Sequence, residues 1–264
     1  MIQDPLKLKA LTNTVRLSAL VDERLAFTMR VATRRDGIAR YHLAGSDVVI
    51  HVRHGTADLV VLDELFRQHH YAAPAPVEEF LREAERPLRV VDLGANIGLF
   101  GALVRREYPG SRVVAFEPDP ANAGVHRRSI EANGDGDSWT LLEACAATED
   151  GAVPFAADAF TASHVESSAN GHDLVAALDI FPFLGDVDLL KIDIEGSEWA
   201  ILSDARFTSD VAKAIVLEYH PHGCPAEDAQ ELAVALLRRA GYETAASSFP
   251  LPPGHGVLWG WRGA

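Results

Sequence analysis

Several things are scarce in this sequence, and each shortage removes a class of protein. Two cysteines, Cys145 and Cys224, are too few for a disulfide framework. No apolar run approaches the roughly 20 residues that a membrane span needs, and the opening MIQDPLKLKALTNTV lacks the apolar centre of a secretory signal peptide. These absences lead us to expect a cytoplasmic protein in a reducing compartment, without a membrane partner. Lysine is rare: only four stand among 24 basic residues, against 38 acids, and the formal charge is −14. A basic footprint for a nucleic-acid backbone is therefore missing, and no nucleic-acid partner is expected. No internal repeat is visible. Nothing in the sequence sets the oligomeric state, and a homodimer stays open.

The 264 residues, 48% of them hydrophobic, suffice for one large α/β domain or a domain with a small extension. The chain is organised around residues 88–120, LRVVDLGANIGLFGALVRREYPGSRVVAFEPDP. Val90 and Val91 before Asp92 read as a short buried strand, Leu93 to Gly98 as a glycine-rich turn, and Ile97, Phe100, Leu103 and Val104 fall at helical spacing behind it. Gly94 and Gly98 permit positive φ and close approach of a ligand, and the free N–H groups of the turn are expected to face a polar group. A second apolar run, Val113 to Phe116, ends on Glu117. That acid lies about two dozen residues past the first glycine, where nucleotide-binding βαβ units place one for ribose hydroxyls. The spacing is G-x-x-x-G, with Asn96 where a dinucleotide fingerprint has its middle glycine. This disfavours NAD. Asp92 just before the turn suits a ligand with a positive centre, such as S-adenosylmethionine, which has a sulfonium, an ammonium and no phosphate.

Around this unit the chain reads as follows. Residues 1–75 form an N-terminal flank or lid. In it Leu8, Leu11, Val15 and Leu17 suit a short helix, Leu25, Phe27, Met29 and Val31 alternate like a strand, residues 41–53 form a hairpin turned at Gly45, and residues 59–71 are helical behind Thr56 or Asp58. Ala72-Ala73-Pro74-Ala75-Pro76 breaks the pattern, and the core domain is placed at residues 76–264. There a helix is expected over 120–133, a strand over 139–146, a weak strand at 153–155, a covering loop, a helix near 174–178 and a strand over 187–193. A helix opening at Glu195-Gly196-Ser197-Glu198, a strand at 214–218, a helix over 227–240 and strands at 242–247 and 257–261 complete the chain. Alternating strands and helices imply a mostly parallel, doubly wound sheet. Two last strands without a helix between them imply an antiparallel final strand.

VVDLGANIGLF, FEPDP and above all DLLKIDIEGSEWAIL resemble the FkbM family of S-adenosylmethionine-dependent methyltransferases, over roughly residues 53–219, and VRHGTADLVVLDELF resembles the family's N-terminal segment. The resemblance implies a Rossmann-like methyltransferase fold and O-methylation of a small molecule, often a sugar hydroxyl, a polyketide or another secondary metabolite. It places Asp92, Gly94, Asn96 and Gly98 in the cofactor turn, with Glu117 as the ribose acid followed by Pro118. Asp193, Glu195, Gly196 and Glu198 match the KIDxEGxE stretch. Where the family often has a polar residue after the third strand, this chain has Cys145-Ala146-Ala147, so Ala146 is expected to hold adenine by apolar contact.

Methyl transfer to a hydroxyl needs a base at the acceptor oxygen. Asp193, at the end of the fourth strand, is the first choice, alone or with His220, and Glu195 lies one alternation further on. Asp193 and Glu218 are expected to end neighbouring strands, and carboxylates so close need a proton, an arginine or a metal such as Mg²⁺ between them. Two other readings stay open: a non-catalytic S-adenosylmethionine- or nucleotide-binding protein, and an NAD-dependent oxidoreductase. The first is disfavoured by the retained acids and the second by the turn spacing.

Overall fold

The computed structural model describes residues 14–134, 136–156, 164–165 and 173–263. In chain order the named elements are α1 (Arg24–Ala32), β1 (Gly37–His42), β2 (Val49–His54), α2 (Asp58–Phe66), α3 (Ala75–Arg82), β3 (Arg89–Leu93), α4 (Leu99–Glu107), β4 (Arg112–Phe116), α5 (Pro120–Asn133) and β5 (Trp139–Leu142). Then follow β6 (Cys145–Ala147), β7 (Gly151–Ala156), β8 (His164–Val165), β9 (Asp173–Asp179), β10 (Leu189–Ile192), α6 (Glu198–Ser203), β11 (Ala214–Tyr219), α7 (Ala229–Arg239), β12 (Glu243–Ala246) and β13 (Gly256–Trp261).

A seven-stranded sheet in the order β12-β13-β11-β10-β3-β4-β5 forms the centre. β10, β11, β3, β4 and β5 pair in parallel, while β13 inserts antiparallel between β11 and β12. This is the Rossmann-like methyltransferase arrangement with its antiparallel last strand. Side-chain alternation divides the core in two. Val90, Leu189, Ala214 and Val216 belong to the apolar cluster shared with the N-terminal flank and α4, and Val91, Leu190, Ile215 and Leu217 to the cluster under α6 and α7. By the same alternation Asp92, Lys191, Asp193 and Glu218 follow the flank-side residues, so the charged groups gather where the flank covers the sheet. Among the described residues no helix is long and apolar enough to cross a membrane.

Three expectations change. The run Leu25–Val31 is helix α1, not a strand: Leu25 and Met29 are exposed, whereas Phe27 is buried with Val31 packed beside it one turn on. Its period-2 look is a coincidence of a helix whose buried face is narrow. The stretch near 174–178 is strand β9, not a helix. Val175 and Ala177 pack on one side with Cys145, Leu178 packs against the core cluster under α6 and α7, and Leu174 is exposed. β9 runs parallel to β6 and antiparallel to β7, in a separate four-stranded sheet. The strand expected over 139–146 is consequently two, β5 in the central sheet and β6 in the small one. The hairpin β1–β2, α5 and the strands β10 to β13 stand where the sequence puts them. Leu8 and Leu11, and most of the expected covering loop, lie outside the described residues.

Candidate active site

At the carboxyl edge of β3, β10 and β11 the flank and the sheet enclose a cavity of about 370 Å³, within the range of small-molecule sites. Its floor is the turn after β3. Gly94 has φ +79°, and a Cβ there would lie 1.7 Å from the Asp193 carbonyl oxygen, so only glycine lets β3 and β10 meet this closely. Asn96 is also left-handed at φ +51°, a conformation asparagine tolerates better than most residues. The N–H groups of this turn are not free, contrary to expectation. Those of Gly94 and Ala95 donate to the Phe116 carbonyl, that of Asn96 to Glu117 Oε2 at 2.7 Å, that of Ile97 to the Asn96 side chain, and that of Gly98 to the Ala95 carbonyl. A diphosphate would find no free backbone N–H between Gly94 and Gly98.

Glu117 stands on the cavity wall, 5% exposed, and also accepts from the Asp119 N–H at 2.8 Å. Burial pushes its carboxyl up to about 7 even against those two backbone donors, which suits a group whose remaining acceptor sites await ligand hydroxyls. Pro118, Ala146, Cys145, Phe116, Leu99 and Phe100 give the cavity an apolar side. Burial raises the Cys145 thiol to about 12, so it packs as an inert group.

The opposite wall is charged. Lys191 faces Asp92 across the β10–β3 register; its Nζ lies 3.2 Å from Asp92 Oδ1 and 3.3 Å from Asp193 Oδ2, and donates to the Gly94 carbonyl at 2.9 Å. The aromatic rings of Tyr71 and Phe100 lie 5.9 and 5.8 Å from the same ammonium. Burial works against the charge on Lys191, but Asp193 and Asp92 hold its proton more firmly than in water. Tyr71, from the segment after α2, holds its hydroxyl within hydrogen-bond reach of both Asp193 Oδ2 (3.0 Å) and Glu218 Oε2 (2.8 Å). Burial would raise Asp193, yet Lys191, His220 and Tyr71 outweigh it and hold this carboxyl below its ordinary value. Glu218 goes the other way: burial and the Asp193 charge push it up to about 8. Burial and Asp193 likewise push Glu195 up to about 7.

His220 sits behind Glu195, off the cavity wall and 4% exposed. Its Nε2 is 3.4 Å from Glu195 and 3.9 Å from Asp193, and its Nδ1 lies 3.2 Å from the wholly buried Glu198. Glu198 also accepts from the backbone N–H groups of His220 and Gly196, each at 2.8 Å. Burial alone would lower the imidazole, but the hydrogen bond to Glu198 and three neighbouring carboxylates raise it to about 9. Near neutrality His220 is therefore a cation that steadies Asp193 and Glu195, and no base.

Of the residues singled out by sequence, Gly94, Asn96, Glu117, Pro118, Ala146, Asp193, Glu195 and Glu218 line one cavity, whereas Asp92, Gly98 and His220 do not. Asp92, with no exposed surface, acts on the cavity only through Lys191. The gap between Asp193 and Glu218, considered for Mg²⁺, is spanned by the Tyr71 hydroxyl, with Lys191 beside it, so protein donors meet the charge balance that a metal would supply. Asp193, Glu195 and His220 do bring ligand atoms within 4.8 Å of one another, but the imidazole is already engaged by Glu195, Asp193 and Glu198. Lys191 and Tyr71 were missed as site residues, whereas Glu198, matched to the KIDxEGxE stretch, is the buried partner of His220. Lys191 alone had a local signal, its alternation with Asp193 on one strand.

A model of the methyltransferase FkbM domain matches residues 92–244. The chain belongs to the FkbM methyltransferase family. Among curated relatives, Methyltransferase 1 of Beauveria bassiana is 26% identical over 215 residues, covering 69% of this chain and 80% of that protein. Methyltransferase sdnD of Sordaria araneosa is 36% identical over 74 residues, 28% of this chain and 25% of the other. Among solved structures, the N-terminal domain of human METTL16 in complex with SAH aligns at 11% identity over 96% of this chain and 83% of that one, with a TM-score of 0.44. A precorrin-6y C5,15-methyltransferase from Geobacter metallireducens aligns at 17% identity, 71% and 86% coverage and a TM-score of 0.42.

The residues present fit S-adenosylmethionine, the methyl donor of this family. The turn withholds its N–H groups from phosphate, Glu117 can accept from ribose hydroxyls, the Ala146 side is apolar, and the far wall carries the ionised Asp193 for a ligand with positive centres.

Proposed function

We propose that this FkbM-family methyltransferase is an O-methyltransferase acting on a hydroxyl of a small molecule: a sugar, a polyketide or another secondary metabolite. The observation that carries this reading is the carboxylate of Asp193 on the cavity wall, held by donors from three elements a short distance from the glycine turn. S-adenosylmethionine, when bound, supplies an activated methyl group on a positively charged sulfur. What remains for the protein is to hold an acceptor oxygen in place and take its proton. Lys191 and Tyr71 both engage Asp193 Oδ2, while Oδ1 has His220 only at 3.9 Å. That oxygen is placed to accept the acceptor O–H, orient it and receive its proton. The apolar residues Val60, Val61, Leu65 and Leu251 on the flank side of the cavity would exclude water from this step.

A second reading makes Glu195 the base, favoured by its value of about 7, close to the optimum for proton transfer at neutral pH. Single-turnover methylation of a panel of sugar, polyketide and amine acceptors tests both. Asp193→Asn should lower the rate about 10²–10⁴-fold while leaving affinity for S-adenosylhomocysteine near that of wild type. A rate within a few-fold of wild type, with the large loss in Glu195→Gln, would transfer the role to Glu195. Methylation confined to amines would refute the oxygen assignment.

A further inference from the structure

Asp193 has one difficulty as a base: the same donors that position it weaken it. Lys191, His220 and Tyr71 all stabilise its ionised form, so a proton taken from an acceptor hydroxyl has little reason to stay. The groups around it show where the proton can go. The Tyr71 hydroxyl lies between Asp193 Oδ2 at 3.0 Å and Glu218 Oε2 at 2.8 Å. One phenol has one hydrogen, so it can donate to only one of these oxygens at a time, and it can accept from the other only if that carboxyl is protonated.

We propose that Tyr71 carries the acceptor's proton from Asp193 to Glu218. The inference rests on Asp193 being the group that meets the acceptor hydroxyl. The acceptor O–H bond breaks, its electron pair stays on the oxygen to bond the incoming methyl carbon, and the proton goes to Asp193. The neutral Asp193 carboxyl turns about its Cβ–Cγ bond so that its O–H faces Tyr71, and it protonates the Tyr71 oxygen as the Tyr71 O–H bond breaks toward Glu218 Oε2. At the end Asp193 is again an anion, Tyr71 again a neutral phenol, and Glu218 a neutral acid. One proton has moved and no charge has been created.

The direction is downhill, because Asp193 is held below an ordinary carboxylate and Glu218 is pushed up to about 8. Tyr71 itself is held well above an ordinary phenol by burial and by both carboxylates. It therefore passes protons in one concerted exchange and does not rest as a phenolate. The groups that face Glu218 are Tyr71 and His70 from the flank, Asp193 and Lys191 from β10 and its end, and His220 after β11. His70 Nε2 is 3.4 Å from the same Glu218 oxygen, and its ring stacks on Tyr71 at 4.5 Å and on Phe249 at 4.1 Å. The stack fixes the phenol where it can reach both carboxylates. Burial brings the His70 imidazole down to about 4, so it adds no charge near neutrality. Tyr71 stands 122 residues before Asp193 and 147 before Glu218, so the N-terminal flank supplies part of the proton path as well as a cover.

Tyr71→Phe keeps the ring and removes the exchange. With wild type, kcat should rise with pH as Glu218 ionises, through a value near 8. In Tyr71→Phe that limb should vanish, with kcat reduced by about 10²-fold, the lower end of the range for lost acid–base help, and with KM for S-adenosylmethionine unchanged. The kcat proton inventory in mixed H₂O and D₂O should be curved for wild type and linear for the variant. A readout without turnover is infrared titration of the unliganded protein. The protonated-carboxyl band lost near pH 8 should be missing in Glu218→Gln, and should titrate at a different pH in Tyr71→Phe. Calorimetry with S-adenosylhomocysteine establishes that each variant is folded, and Glu218→Gln carries the kinetic test if Tyr71→Phe is not. Wild-type kcat and an unchanged pH limb in Tyr71→Phe, beside a large loss in Asp193→Asn, would overturn the relay alone. A wild-type rate in Asp193→Asn would overturn the relay together with the base assignment.

Discussion

Replacing Lys191 by Met tests what holds the centre of this site together. The thioether chain has nearly the length of lysine and can remain near the rings of Tyr71 and Phe100, so the main loss is the ammonium. Asp92 has no exposed surface, and among the described residues no other side chain offers it a hydrogen bond. Left ionised and alone it would cost about 3–5 kcal/mol, the scale for removing one partner of a buried pair. Its escape is to take a proton. At pH 7, neutralising a group whose ordinary value is about 3.9 costs about 4 kcal/mol, at about 1.4 kcal/mol per pH unit. The two routes agree, and for a chain of this size the loss lowers Tm by roughly 8–16 °C.

The pH dependence follows from the sign of the shift. Burial already holds Asp92 above its ordinary value in wild type, with Lys191 opposing; without the ammonium it rises further, so the variant's full stability is present below about pH 4 and is lost as pH rises through the raised value. Urea denaturation of wild type and Lys191→Met at pH 5, 6 and 7 should therefore show a gap that widens with pH, by at most about 1.4 kcal/mol per unit. Adding Asp92→Asn should recover most of it, as a double-mutant cycle reads for coupled neighbours. A gap below about 1 kcal/mol at pH 7, or one independent of pH, would refute the argument that Lys191 exists to neutralise Asp92.

Two further outcomes check the cofactor end. Glu117→Ala frees the Asn96 and Asp119 N–H groups and removes the acid from the wall; calorimetry should find S-adenosylhomocysteine bound about 1–3 kcal/mol more weakly, and an unchanged Kd would end the ribose assignment. Gly94→Ala forces a Cβ to 1.7 Å from the Asp193 carbonyl, so thermal denaturation should show a loss beyond about 4 kcal/mol. At Gly134, with φ +65° and open space around it, the same change should cost only about 1–2 kcal/mol.

The sequence alone determined the parts whose causes are local. Val90 to Val104 must be strand, turn and helix, because the apolar run, the two glycines and the helical spacing behind them are contiguous. Asp119 caps α5 with its own side chain, and Gly134 closes that helix in the left-handed conformation. Two terminal strands with no helix between them leave only an antiparallel partner. Elsewhere tertiary packing decided: residues 174–178 read as a helix in the sequence, and became strand β9 because β6 and β7 offer it backbone partners on both sides. The electrostatics of the site were also beyond the sequence. Asp193 and Glu218 stand out as acids at strand ends, but which is the weak base and which the strong one depends on Lys191, on His220 and on a phenol from the flank. Burial and distance set those values. Both come into being only when Tyr71 is folded against the edge of a sheet whose strands lie far from it along the chain.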